Sequence, residues 1–273
     1  MNPLTLDEIK QIELDLLKIF DAFCRENHIR YFLSNGTLLG AVKYNGFIPW
    51  DDDVDVLVPR EDYDRLITLF QDRDTVRLVS FERDPAYLFP FAKLCDTTTV
   101  KDEIGVDNGV LLGLNVDVFP LDAWDSDWET ARREAKTIKK NISCLSLAKL
   151  HKTNAPSAVK RAVQRVLMLF CKMRGCRAFL QNIVRQSNKA EQDGKTYLGC
   201  KAWCIYGERE IIPAEVFASA VDVTFEDGTF PAPVGYDTYL RRLYGDYRAD
   251  PPPEKQKTHH RFLAYRTENE SRL

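Results

Sequence analysis

The chain has no stretch long enough to cross a membrane. Its longest apolar run near the middle, Val166-Leu167-Met168-Leu169-Phe170-Cys171, is six residues, where a spanning helix needs about 20. The opening Met1-Asn2-Pro3-Leu4 offers no basic region and no apolar run, so no secretory signal is expected. Seven cysteines contain no Cys-x-x-Cys, which argues against a zinc site or a disulfide framework and for buried free thiols in a reducing cytoplasm. Repeats and low-complexity linkers are also lacking. The most informative absence is of acid. From Glu134 to Glu191 no Asp or Glu intervenes, while the same 56 residues hold 13 Lys and Arg. That leaves 25 of the 38 basic residues among all 41 acidic ones. The net charge of −3 therefore hides a segregation, and a basic middle of this size points to an anionic partner. With no recognition motif present, nucleic acid is not the expected one.

What is present describes a folded helix–strand mixture. The 273 residues are 44% hydrophobic and 11% aromatic, enough for a sizeable core. Thr5-Leu6-Asp7-Glu8 has the form of a capping box. Ile9, Ile12, Leu16, Ile19, Phe20 and Phe23 then recur at helical spacing as far as Asn27-His28. Tyr31–Leu33 reads as a short strand and Thr37–Lys43 as a short helix. Asp53–Val58, Thr75–Ser80, Phe91–Cys95 and Val110–Phe119 read as strands, the last ended by Pro120. Helices are expected over Glu61–Phe70, Asp125–Leu150, Ser157–Met173, Arg177–Gln186 and Tyr236–Tyr244. A hairpin is expected around Glu226-Asp227-Gly228.

The chemistry concentrates at Ile48-Pro49-Trp50-Asp51-Asp52-Asp53-Val54-Asp55-Val56. A solvated acidic turn would explain four acids in five positions. Against that reading, Asp53 and Asp55 stand two apart on a strand and share a face. Such a pair calls for a cation, and oxygen-only donors suit Mg²⁺ or Mn²⁺. Upstream, Asn35-Gly36-Thr37 opens a helix whose N–H groups, with the Thr37 hydroxyl, could cradle phosphate. Asp117, within the otherwise apolar Val116–Phe119, needs a partner or a metal as well; pairing with an Arg or capping the strand end would serve equally. A phosphate cradle beside metal-binding acids is what phosphoryl transfer requires.

The ordered set Gly36-Thr37-Leu38-Leu39-Gly40-Ala41-Val42-Lys43, Gly46-Phe47-Ile48-Pro49-Trp50-Asp51-Asp52-Asp53-Val54-Asp55, Pro59-Arg60-Glu61-Asp62-Tyr63, Val116–Asp122, Tyr244-Gly245-Asp246-Tyr247, Pro251-Pro252 and His259-His260 resembles the signature of the LicD family. These are phosphorylcholine-transferase-like enzymes of the nucleotidyltransferase-fold superfamily. The resemblance implies an α+β fold: a nucleotidyltransferase-like mixed β-sheet core flanked by helices, with an inserted basic helical region. It covers a single domain over 1–273, with the core at about 1–125, the basic region at about 126–190 and a completing segment at about 191–273. Asp53, Asp55 and Asp117 become the metal-binding and catalytic carboxylates. Gly36, Thr37, Lys43, Lys93, His259 and His260 become candidates for the donor phosphates. Lys43 stands where the family usually has Arg, which keeps the charge and loses the bidentate fork.

The implied reaction is Mg²⁺-dependent transfer of phosphocholine, or a similar phospho-substituent, from a CDP-linked donor such as CDP-choline. A hydroxyl of a cell-surface glycan, lipid-linked glycan or teichoic-acid precursor would accept it, with release of CMP. A quaternary ammonium is held by aromatic faces, for which Tyr44, Trp50, Trp124, Tyr244 and Tyr247 are candidates. Two other readings stand beside this one: a nucleotidyltransferase using a nucleoside triphosphate, and a non-catalytic protein docking on anionic surfaces. Location is expected to be cytoplasmic, with peripheral contact at the inner face of the membrane through 157–187. On a helical wheel of about 100° per residue, Val159, Ala162, Val163, Val166, Leu167, Leu169, Phe170 and Met173 share one arc. Arg161, Arg165 and Lys172 fall on the other side. The arc either packs on the core, leaving the cations in water, or lies in the interface of an anionic leaflet.

Overall fold

A computed structural model describes residues 2–73, 75–187, 194–258 and 262–267. Helix α1 (Leu6–Glu26) starts on the capping box: Thr5 Oγ1 accepts the Glu8 N–H at 3.3 Å, and Glu8 Oε2 accepts the Thr5 N–H at 2.8 Å. Its buried face carries Ile9, Ile12, Leu16, Phe20 and Phe23, whereas Ile19, at the edge of that arc, is exposed. The chain then forms β1 (Phe32–Leu33), α2 (Asn35–Tyr44), β2 (Val54–Pro59), α3 (Arg60–Leu69), β3 (Val76–Val79), β4 (Ala92–Asp96), β5 (Thr99–Glu103) and β6 (Asn115–Ala123).

The central sheet has the order β1-β2-β6-β4-β3. β2 and β6 run parallel, and the other neighbours are antiparallel. All six residues of β2 are buried, so both faces of this strand are covered, as its near-continuous apolar run requires. The architecture is the mixed-sheet α+β class expected from the sequence.

Beyond the sheet come α4 (Trp128–Lys149), α5 (Ala158–Arg174), α6 (Cys176–Ser187), β7 (Tyr197–Gly199) and β8 (Ile212–Pro213). The hairpin of β9 (Ala220–Phe225) and β10 (Gly228–Pro233), α7 (Tyr236–Tyr244) and β11 (Phe262–Arg266) complete the order. α4 and α6 enclose a second apolar cluster with Trp124, Cys171 and Ile211. Asp127 caps α4, its Oδ2 accepting the Thr130 N–H at 2.9 Å. All seven cysteines are free. No helix among the described residues is long and apolar enough to cross a membrane.

One sequence expectation is corrected. The strand expected over Val110–Phe119 begins at Asn115 and continues through Pro120 to Ala123. Pro120 is tolerated because β4 pairs only as far as Ala92 opposite Val118, so at Pro120 one side of β6 has no ladder to interrupt. For α5 the sequence leaves two arrangements of the apolar arc open. The arc does not pack on the core; only Met168 and Cys171 of this helix are buried.

Candidate active site

Strand register builds the centre of the site. Asp55 of β2 stands opposite Asp117 of β6, and Asp117 stands opposite Lys93 of β4. Paired positions on adjacent strands present their side chains to the same face, so the three charges form a row across the sheet. The Lys93 ammonium and the Asn115 side-chain amide both bond Asp117 Oδ1. Asp122 belongs to the same strand but lies five positions further on, which turns it to the other face. There Arg60 Nε donates to its Oδ1 at 2.8 Å, a tie between α3 and β6.

α2 sets the acids in place. Thr37 is buried and its Oγ1 accepts the Asp55 N–H at 2.8 Å, so this hydroxyl fixes the strand entry from beneath. Asn35, with a left-handed φ of 45°, hydrogen-bonds the Asp55 carboxylate. Asn35 is itself held by Tyr239 of α7, whose Oη donates to Asn35 Oδ1 at 3.1 Å. Two glycines allow close approach. A Cβ on Gly36 would lie 2.6 Å from Asp51 Oδ2, and one on Gly40 would lie 2.4 Å from the Gly46 carbonyl oxygen. Lys10 of α1 pins the loop before the acids, donating to the Ile48 and Pro49 carbonyls at 3.1 and 3.0 Å.

Carboxylate oxygens of Asp51, Asp52 and Asp53 lie within 4.8 Å of one another. The cluster thus starts two residues ahead of Asp53, with Asp55 close enough to feel its charge. Burial, then the neighbouring Asp53 and Asp117, push the Asp55 carboxyl well above the usual carboxylate range. Glu13 of α1 is fully buried, and burial drives its carboxyl up too, against the pull of Lys101. Neither Glu13 oxygen has a hydrogen-bond partner among the described residues. An oxygen-only donor set with surplus negative charge fits a hard divalent cation such as Mg²⁺ or Mn²⁺.

Similarity to known proteins agrees with this geometry. The profile of the "LicD/FKTN/FKRP, nucleotidyltransferase domain" matches residues 28–156. The protein named lipopolysaccharide cholinephosphotransferase LicD, from Haemophilus influenzae, is 30% identical over 275 positions, covering 97% of this chain and 99% of its own length. The chain belongs to the LicD family. Two uncharacterized proteins, of Rickettsia typhi and Rickettsia prowazekii, are 41% and 45% identical over 58 and 47 residues, or 19% and 18% of their lengths.

In this LicD-family chain the remaining candidates are dispersed around the acids. Lys43 forms an ion pair with Asp250 at 2.7 Å and donates to the Tyr247 carbonyl at 3.3 Å, clamping the C-terminal segment to α2. Tyr44 and Trp50 meet edge to face with centroids 6.3 Å apart, and the Tyr44 hydroxyl donates to Asp250 at 2.6 Å. Tyr244 packs against Tyr206, and the Tyr247 hydroxyl donates to Asp237 at 2.7 Å. Trp124 is fully buried in the second cluster, its indole N–H donating to the Glu210 carbonyl at 2.9 Å. His259 and His260 lie outside the described residues. Thr258, just before them, donates to Asp52 Oδ2 at 2.8 Å.

Sequence reasoning passes over Glu13, Asn115 and Lys101. Glu13 carries a legible signal, a carboxylate within the apolar face between Ile9 and Leu17. Asn115 stands two residues before Asp117 on one strand face. Lys101 has no local signal, because the strand bearing it is recognised only through its distant partner β11.

Proposed function

We propose that this chain transfers phosphocholine from a CDP-linked donor such as CDP-choline to a hydroxyl of a cell-surface glycan, lipid-linked glycan or teichoic-acid precursor, releasing CMP. The observation that carries this reading is the acid cluster in which Asp51, Asp52 and Asp53 converge beside the buried Asp55 and the half-buried Asp117 opposite it. The Haemophilus relative is named a cholinephosphotransferase, which supports the choice of group. Asp51, Asp52, Asp53 and Asp55 would hold Mg²⁺, which when bound supplies charge neutralisation along the diphosphate.

The acceptor oxygen attacks the choline-bearing phosphorus and the bond from that phosphorus to the CMP oxygen breaks. The acceptor proton passes to a carboxylate of the set, for which Asp117 is placed by Lys93 and Asn115. Gly36 leaves room for backbone N–H groups at the start of α2 to face the donor phosphates. Lys93 contributes fixed positive charge at the same row.

The test is incubation with Mg²⁺ and a panel of CDP-linked donors, with and without glycan acceptors, followed by phosphorus NMR. Acceptor-dependent CMP release from CDP-choline, stopped by chelation, is the expected result. Pyrophosphate release from a nucleoside triphosphate would instead make the chain a nucleotidyltransferase. No turnover of any donor would favour the anionic-surface docking protein.

A further inference from the structure

α5 is held to the protein by one narrow stripe. Met168 and Cys171 are buried, Gln164 is half-buried, and the other residues of this helix are exposed. On a turn of about 100° per residue, the side opposite that stripe carries Val159, Val166, Leu169, Phe170 and Met173, with Leu167 on the flank between. All six are in water, Val159 by 75%, Phe170 by 64% and Met173 by 76%. A contiguous apolar face of this kind marks an interaction surface.

Charge identifies what covers it. Lys160, Arg161, Arg165 and Lys172 are exposed on the same helix, and the sequence supplies no acid between Glu134 and Glu191. Among the described residues, no ion pair joins any of these four to a carboxylate. A second copy would bring two such cationic helices together. An anionic lipid leaflet satisfies both the apolar arc and its cations, whose long stems reach from acyl depth to headgroup phosphates.

We propose that α5 docks in the plane of an anionic bilayer surface, with its apolar arc at the boundary of headgroups and acyl chains. Gln164, on the inner stripe, lines a cavity of about 430 Å³ with Phe89, Glu103, Lys149 and Trp203. The Phe89 ring lies 5.0 Å from Lys93 Nζ, and Lys93 pairs with Asp117. The inner stripe thus links α5 to the Lys93 side of the site; docking itself does not rest on the transfer reading.

The experiment is co-sedimentation with vesicles of phosphatidylglycerol and phosphatidylcholine, compared with phosphatidylcholine alone. Binding to the anionic vesicles should be at least about tenfold stronger and should weaken as salt is added. Phe170→Asp with Met173→Asp should reduce it about tenfold or more, and Arg165→Glu with Lys172→Glu should do the same. Both variants should keep the wild-type Tm and transfer to a soluble acceptor, so loss of docking is read separately from loss of transfer. Absence of vesicle binding by the wild-type chain at low salt would overturn the proposal. Equal binding to both vesicle types would also overturn it. A lipid-free dimer in sedimentation velocity, abolished by Phe170→Asp, would assign the face to a second copy instead.

Discussion

At the start of β2 the molecule gathers acids and buries or half-buries them; on α5 it spreads cations and apolar side chains into water. Both arrangements run against the ordinary distribution of residues. They differ in what supports them. Asp55 is fixed by the Thr37 hydroxyl, the Asn35 side chain and a strand paired along its length. α5 leans on α4 and α6 through two buried side chains. A rigid frame permits charge crowding that a ligand later relieves, whereas a lightly attached helix offers a surface to something large.

The sharpest way to break the contrast is to remove charge from the rigid side. Asp55→Asn should lower transfer roughly 1,000-fold or more while Tm stays level or rises, because one of several crowded like charges is gone. Substantial transfer by this variant, measured as CMP release, would mean that the crowding serves no chemistry.

Next in size is the frame itself. Gly36→Val pushes a side chain into Asp51 and should lower transfer about 100-fold, chiefly through a higher donor KM. Thr37→Val leaves the Asp55 N–H without its acceptor and should cost about 1–3 kcal/mol of stability by urea unfolding. If neither variant differs from wild type, the acids do not depend on α2.

A third test asks whether buried charge in the helical part behaves like buried charge in the site. Burial raises the Glu210 carboxyl to about 8 from its ordinary 4.5. Between those values the folded protein holds a proton that the unfolded chain releases, so this group's contribution falls as pH rises from about 4.5 to about 8. Glu210→Gln should flatten that part of the Tm–pH curve and raise Tm by a few degrees above about pH 8. An unaltered slope would show that Glu210 is ionised in the fold.

The smallest effects separate the two sides of α5. Met168→Ala should cost about 2 kcal/mol, and Phe170→Ser should stay within about 0.5 kcal/mol. Similar losses for both would mean that the outward arc packs on something within the chain.

Much of this is legible in the sequence for a physical reason. Asp55 and Asp117 stand out as charges within apolar strand patterns, and the capping box at Thr5 is local chemistry. The partnership of Asp117 with Lys93 is not legible, because it depends on which strands become neighbours. The same holds for β5 and β11, which pair Thr99 with Arg266 from far apart in the chain. The wheel of α5 reveals two faces, but periodicity alone does not say which face a helix buries when both are unusual.

The Tyr239–Asn35 hydrogen bond spans 204 positions, and this has a consequence for synthesis on the ribosome. When the acid strands and the basic helices have emerged, Asn35 still lacks the hydroxyl that holds it against Asp55. The growing chain therefore passes through a period in which its carboxylates are complete and their brace is not.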